Sequence, residues 1–194
     1  LTNFHALLPE QQGKLAMNVL KDPYNLDFLT LEKGYNERDL ESALAHDITH
    51  FLLEIGSGFS YIGRQRELVV SCDGYFPDLL FYHIKLRCYV VIELKVVEFM
   101  PEFAGKLNFY VAACNRLLRG EGDNPTIGLL ICKSKDQTKV EWAFDSILNP
   151  MGVATYEGIN VADKLPSVEE LQKRIEQLED IIEKEQNAEH CQKW

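Results

Sequence analysis

The stretch YFPDLLFYHIKLRCYVVIELK, residues 75–95, decides how the rest of the chain is read. Two apolar, β-prone runs flank a short polar turn at residues 84–87. Asp78 lies in the first run; Glu93 and Lys95 lie near the end of the second. Such side chains are almost never fully buried unless they are paired or bound to a metal. Glu93 and Lys95 are one residue apart, so on a strand they share a face. Asp78, on the preceding strand of the same hairpin, approaches them from the side.

Two carboxylates beside a lysine match what cleavage of a phosphodiester requires. Mg²⁺ or Mn²⁺ is held by one or two hard carboxylate ligands, with water and phosphate completing its shell. The metal offsets phosphate charge and acidifies a water, and a nearby cation orients that water. Asp78 and Glu93 are the candidate metal ligands, with the backbone carbonyl of Leu94 as a third. Lys95 is the candidate catalytic lysine. Spacing alone also admits a buried Asp78–Lys95 pair, or a Glu93–Lys95 ion pair on the sheet surface.

Outward from this hairpin, the chain reads as alternating helices and strands. Leu40, Leu44, Ile48, Phe51 and Ile55 recur at threes and fours and predict one helix over residues 38–55. Asn36 and Asp39 mark its start, and the GSG at 56–58 stops it. Glu54 sits at the unfavourable end of that helix's dipole, so local propensity does not account for it, and it is the candidate fourth group beside Asp78, Glu93 and Lys95. Short strands are expected at 59–63, 67–72, 75–83 and 88–94, with Asp73-Gly74 as a hairpin turn. Pro101 opens a helix running to about 118. Residues 126–132 read as a buried strand reached by a crossover, followed by a helix over 137–148 and a strand over 152–156. The order gives an α/β fold, a mixed β-sheet flanked by helices.

Residues 1–35 are weakly patterned and are expected to be a linker or the tail of a missing N-terminal domain, with short helical pieces near 11–20 and 26–29. The chain opens on Leu1 rather than Met, which agrees with a piece of a longer protein. At the other end, SVEE at 167–170 is a capping box. Val168, Leu171, Ile175, Leu178 and Ile182 behind it form a heptad seam. That C-terminal amphipathic helix, residues 166–194, is either exposed, packed on a partner or a homodimer contact.

The formal net charge of −10 argues against indiscriminate coating of nucleic acid. Residues 61–119 nevertheless carry eight Lys and Arg against six Asp and Glu, so the centre is mildly basic within an acidic periphery. No apolar run reaches the length of a membrane span and no secretory signal opens the chain, so a cytoplasmic protein without a membrane partner is expected. The five cysteines are widely spaced, four of them in apolar runs, and read as reduced buried thiols. His46 and His50 are four apart and mimic a helical zinc pair, but both fall opposite the apolar stripe and read as a solvated face.

Pro77-Asp78, fourteen residues, then Glu93-Leu94-Lys95 resembles the PD-(D/E)XK nuclease signature. The resemblance is closer to the YhcG-like bacterial proteins. It is carried by FLLEIGSGF (51–59), GRQ (63–65), DLLFYH (78–83), RC (87–88), IELK (92–95), PE (101–102), GKLNFY (105–110), NP (124–125) and ICKSK (131–135). It covers residues 21–165, within which 36–165 is taken as the nuclease-like domain. The resemblance implies a restriction-endonuclease-like core, with Asp78 and Glu93 as metal ligands, Lys95 as the catalytic lysine and Glu54 as the acid of the first core helix. Lys106 and Tyr110 resemble the Gln-x-x-x-Tyr motif of RecB-type members, with Lys in the Gln position. Gln65, Arg64, Lys106 and Tyr110 are the candidate substrate contacts. The function implied is hydrolysis of DNA phosphodiester bonds with Mg²⁺ or Mn²⁺; the sequence leaves open whether the DNA is duplex, branched or single-stranded. The alternative is a non-catalytic module that binds nucleic acid or protein on the same fold.

Overall fold

The computed structural model describes residues 1–162 together with Gln172. The elements in chain order are helices α1 (Phe4–Leu7) and α2 (Glu10–Val19), strands β1 (Tyr24–Asn25) and β2 (Thr30–Glu32), and helices α3 (Glu37–His46) and α4 (Ile48–Ile55). Strands β3 (Phe59–Arg64), β4 (Leu68–Val70), β5 (Asp73–Tyr75), β6 (Leu79–His83) and β7 (Cys88–Glu98) follow. The remainder is helix α5 (Pro101–Leu117), strand β8 (Ile127–Ser134), helix α6 (Gln137–Phe144) and strands β9 (Met151–Glu157) and β10 (Asn160–Ala162).

Six strands form one mixed sheet in the order β1-β9-β8-β7-β6-β3. β3, β6 and β7 pair antiparallel, whereas β7, β8, β9 and β1 run parallel. The central strands are near-continuous apolar runs because both faces are covered. Alternation divides them. Val90, Ile92, Leu94, Leu129 and Ile131 face one core with Leu40, Leu44 and Phe51 from α3 and α4. Val91, Leu130 and Cys132 face the other with Leu107, Val111 and Cys114 from α5. The period of two therefore puts Glu93 and Lys95 on the side of β7 that carries Val91.

Four expectations are corrected. The predicted helix over 38–55 is two helices, broken at Asp47 with φ −105° and ψ 43°. Asp47 bonds His50 through its own carboxylate, a local alternative to continuing the helix. The apolar stripe still holds, since Leu40, Leu44, Phe51 and Ile55 are all buried in one core. The break also separates His46 from His50. Both are exposed, and His50 stacks on Phe28.

Asp73-Gly74 is not the hairpin turn. Val70 pairs with Asp73, so Ser71 and Cys72 make the turn, both with positive φ as a tight two-residue hairpin requires. Gly74 lies within β5, paired with Val69. Cys72 is consequently exposed, while Cys88, Cys114 and Cys132 are buried free thiols.

The expected strand over 75–83 is split between β5 and β6, with buried Pro77 between them. Proline lacks the N–H a ladder needs, so the sheet resumes only at Leu79.

Residues 1–35 are not a linker in this structure. They belong to the compact unit Leu1–Val161. Phe4, Tyr24 and Leu26 are fully buried, β1 extends the main sheet beside β9, and β2 pairs with β10. α2 answers the helical piece expected near 11–20, whereas 26–29 is not helical. The capping box at 167–170 and the heptad seam lie outside the described residues. Among the described residues, no helix is long and apolar enough to cross a membrane.

Candidate active site

The split at Pro77 leaves Asp78 at the head of β6, with a backbone N–H free of the ladder. That N–H donates to Glu93 Oε1 at 3.3 Å. In return, Asp78 Oδ2 accepts the backbone N–H of Leu94 at 2.8 Å. The two acids are thus cross-braced through backbone, which fixes their carboxylates beside one another. Glu93 is 1% exposed and Lys95 is 5% exposed.

Two lysines offset this buried charge. Lys106, on the first turns of α5, donates to Glu93 Oε2 at 2.9 Å. Its ammonium lies 5.2 Å from the centre of the Tyr110 ring, which packs one helical turn on. Lys95 Nζ lies 3.9 Å from the same Glu93 oxygen. It donates to Glu37 Oε2 and to the Leu94 carbonyl, both at 2.9 Å.

Behind Asp78, Gln65 connects a further acid. Its backbone N–H donates to the Asp78 carbonyl at 3.1 Å. Its side-chain amide bridges Glu41 Oε2 at 2.8 Å and Asp78 Oδ1 at 3.3 Å. Gln65 holds φ at +46°, a left-handed conformation that costs a non-glycine residue about 1 kcal/mol or more. Glu41 is 5% exposed, and among the described residues its Oε1 has no hydrogen-bond donor, with the Arg64 Nε at 3.6 Å. Arg64 also donates to Ser42 Oγ.

Burial is the largest influence on all three acids, and it raises each. Glu93 is pushed up to about 7 by burial and then by Asp78. Asp78 is raised by burial, against the Leu94 N–H and the two lysines. Glu41 is raised by burial, with Asp78 adding to the rise. For Glu93, burial and Asp78 outweigh Lys106. The same contact nonetheless holds Lys106 firmly protonated. Buried carboxylates shifted by desolvation and by one another beside a cleft mark a candidate functional site.

An open cleft of about 750 Å³ gives access to this cluster. Its walls include Glu37, Arg38, Glu41, Arg64, Gln65 and Asp78. Among the described residues, no three His, Cys, Asp or Glu side chains converge on one cation position. Two carboxylates with a backbone carbonyl is the set Mg²⁺ usually accepts, the remainder of its shell being water and phosphate. The hard oxygens of Asp78 and Glu93 suit that cation.

The structure therefore brings together Asp78, Glu93, Lys95, Gln65, Arg64, Lys106 and Tyr110. It does not bring Glu54. That carboxylate accepts the Asn25 N–H at 2.9 Å and pairs with Lys21 at 3.2 Å, tying α4 to β1. The acids that reach the cluster from the first core helices are Glu37 and Glu41. Their signal was in the sequence. They are four apart, so like charges repel on one helix face, and Glu41 adjoins the apolar stripe at Leu40 and Leu44.

A family profile described as the YhcG PDDEXK nuclease domain matches residues 17–176. The chain belongs to that family, and the mixed sheet with its flanking helices is the restriction-endonuclease-like PD-(D/E)XK core. The protein named "Putative nuclease YhcG" from Escherichia coli (strain K12) is 34% identical over 149 residues, 77% of this chain. The chain spans 40% of the length of that relative. Two solved structures share part of the chain path. A crystal structure of a repair endonuclease from Pyrococcus abyssi has a TM-score of 0.42 at 15% identity, over 67% of this chain and 49% of that one. The structure of an EndoMS–dsDNA2 complex has a TM-score of 0.43 at 12% identity, over 71% and 51%.

Proposed function

We propose that this domain hydrolyses phosphodiester bonds of DNA, branched DNA included, with Mg²⁺ or Mn²⁺, and that it works in the cytoplasm. The observation that carries the proposal is the meeting of Asp78, which lines the cleft, with buried Glu93 and Lys95, the two acids cross-braced through the Asp78 and Leu94 N–H groups. Asp78 and Glu93, with the Leu94 carbonyl, would hold the cation. When bound, it supplies charge neutralisation at the phosphate and acidification of a water.

The chain's own groups do the rest. The cross-brace presets the carboxylates, so little reorganisation accompanies binding. Lys95 provides a buried positive charge where negative charge develops on the phosphate, and in low dielectric that charge acts strongly. Gln65 and Glu41 hold Asp78 from behind. Lys106, once released from Glu93, and Arg64 at the cleft wall are suited to flanking phosphates. The seam from Val168 to Ile182 is offered as a homodimer contact.

The test is cleavage of duplex, single-stranded and branched DNA in Mg²⁺ and in Mn²⁺. Asp78→Ala and Lys95→Ala should each lower the rate by about 100-fold or more. Unchanged activity in both variants would refute the mechanism. The alternative, a binding module that does not cut, is favoured by the closure of Glu93 and Lys95 in ion pairs. It predicts DNA binding without cleavage in every one of those conditions.

A further inference from the structure

The ammonium of Lys95 has three hydrogens to donate. One is given to Glu37 Oε2 and one to the Leu94 carbonyl, each at 2.9 Å. The third side is closed by the Phe103 ring, 5.2 Å to its centre, and by Glu93 Oε2 at 3.9 Å. Among the described residues the third hydrogen has no acceptor within hydrogen-bond distance, but the side chain is only 7% exposed. Of the two acceptors of Lys95, it is Glu37 that lines the cleft, so Glu37 stands where a phosphate oxygen would approach Lys95.

The four partners are not equally free to move. Leu94 belongs to β7, a strand paired on both sides. Phe103 is packed against the core on the α5 side. Glu93 is 1% exposed and is held by Lys106 and by the Asp78 N–H. Of the four, Glu37 is the one that is both solvent-exposed and on the cleft wall. Its side chain is 45% exposed, it stands in the first turn of α3, and it lines the open cleft. A carboxylate half in water loses little on release, because water replaces the lysine as its partner.

We propose that Glu37 is a latch on Lys95. In the free protein its carboxylate holds the ammonium. A DNA backbone phosphate entering the cleft repels the carboxylate and takes its place, with the same charge-assisted N–H···O contact. The proposal rests on the reading of the cleft as a DNA site, and it goes beyond that reading by naming what must be displaced there. Glu37 is a positioning residue, since it acts only through Lys95.

The test is a double-mutant cycle of DNA binding by the full 194-residue chain in EDTA, followed by fluorescence anisotropy of a labelled duplex. Glu37→Gln keeps the side-chain shape and removes the competing charge. It should tighten binding by about fivefold. In a Lys95→Gln background the same change should alter binding by less than about twofold, because the latch then has nothing to hold. Equal tightening in both backgrounds would mean simple removal of a repelling charge and would overturn the proposal. Unchanged or weaker binding by Glu37→Gln would overturn it too, as would failure of every variant to bind DNA.

Should Lys95→Gln not fold, the Glu37 carboxyl ¹³C resonance of the wild-type protein decides. It should shift when DNA is added in EDTA, and a static resonance at saturating DNA overturns the latch. No step of this test reads cleavage. A chain that binds but never cuts in Mg²⁺ sinks the catalytic reading and leaves the latch standing. A failed cycle in a chain that does cut sinks only the latch.

Discussion

Replacing Glu93 by Gln should stabilise the protein above neutral pH, although it removes a group of the candidate active site. Glu93 is 1% exposed, and its carboxyl is raised from 4.5 to about 7, chiefly by burial. The folded state therefore holds that proton more tightly than the unfolded chain. Below about pH 4.5 both states are protonated, and the stability associated with the neutral acid is complete. Between about 4.5 and 7 the unfolded chain ionises first, and stability falls as pH rises. Above about 7 both states are ionised, and the full cost of the buried charge is present. The difference between the two values corresponds to about 3 kcal/mol at pH 8. The attractions of Lys106 and Lys95 are already contained in it. Gln approximates the neutral acid and still offers an oxygen to Lys106. The expected gain for Glu93→Gln is thus about 1–3 kcal/mol at pH 8, with little difference at pH 4.5. Urea unfolding followed by circular dichroism, in EDTA across this range, measures both. EDTA matters because a cation bound to the folded wild type would stabilise it and mask the effect. A variant less stable than wild type at pH 8 would refute the reasoning. It would show that the two lysines more than offset the burial of Glu93.

Two further outcomes follow from the same geometry. Glu41→Ala removes the acid that anchors Gln65 behind Asp78 and should lower cleavage by about tenfold or more. Glu54→Ala should leave cleavage within about twofold while costing about 1 kcal/mol of stability for the lost Asn25 acceptor. The two variants assayed side by side on one substrate separate the assignments. Gly128→Ala would drive a Cβ to 2.8 Å from Val111 and 3.0 Å from Leu107, wedging α5 away from β8. It should cost about 1–3 kcal/mol in chemical denaturation, and it should reduce cleavage as well because α5 carries Lys106.

The sequence by itself determined the elements whose patterns are local. The alternation in residues 88–95 put Glu93 and Lys95 on one face, and Pro101 opened α5 where it was expected. The hairpin of β6 and β7 and the parallel crossover to β8 followed from apolar runs and connection lengths. The family was also legible, because an ordered series of motifs is more specific than any one of them. What the pattern could not decide was which side chains meet across distance. Glu54 and Glu41 are both acids on the leading helical segment, and periodicity ranks neither. The break at Asp47 sends them to different neighbours, Glu54 to Lys21 and Asn25, Glu41 to Gln65. The weak pattern of residues 1–35 arose because those residues fill gaps around a sheet made elsewhere, burying Phe4 and Tyr24 one at a time rather than along a face. The backbone cross-brace from Asp78 to Glu93 and Leu94, and the hold of Glu37 on Lys95, exist only once strands and helix are assembled. Local periodicity assigns a residue to a face. The fold alone decides what stands opposite it, because that depends on the path of chain segments far apart in sequence, 58 residues in the case of Glu37 and Lys95.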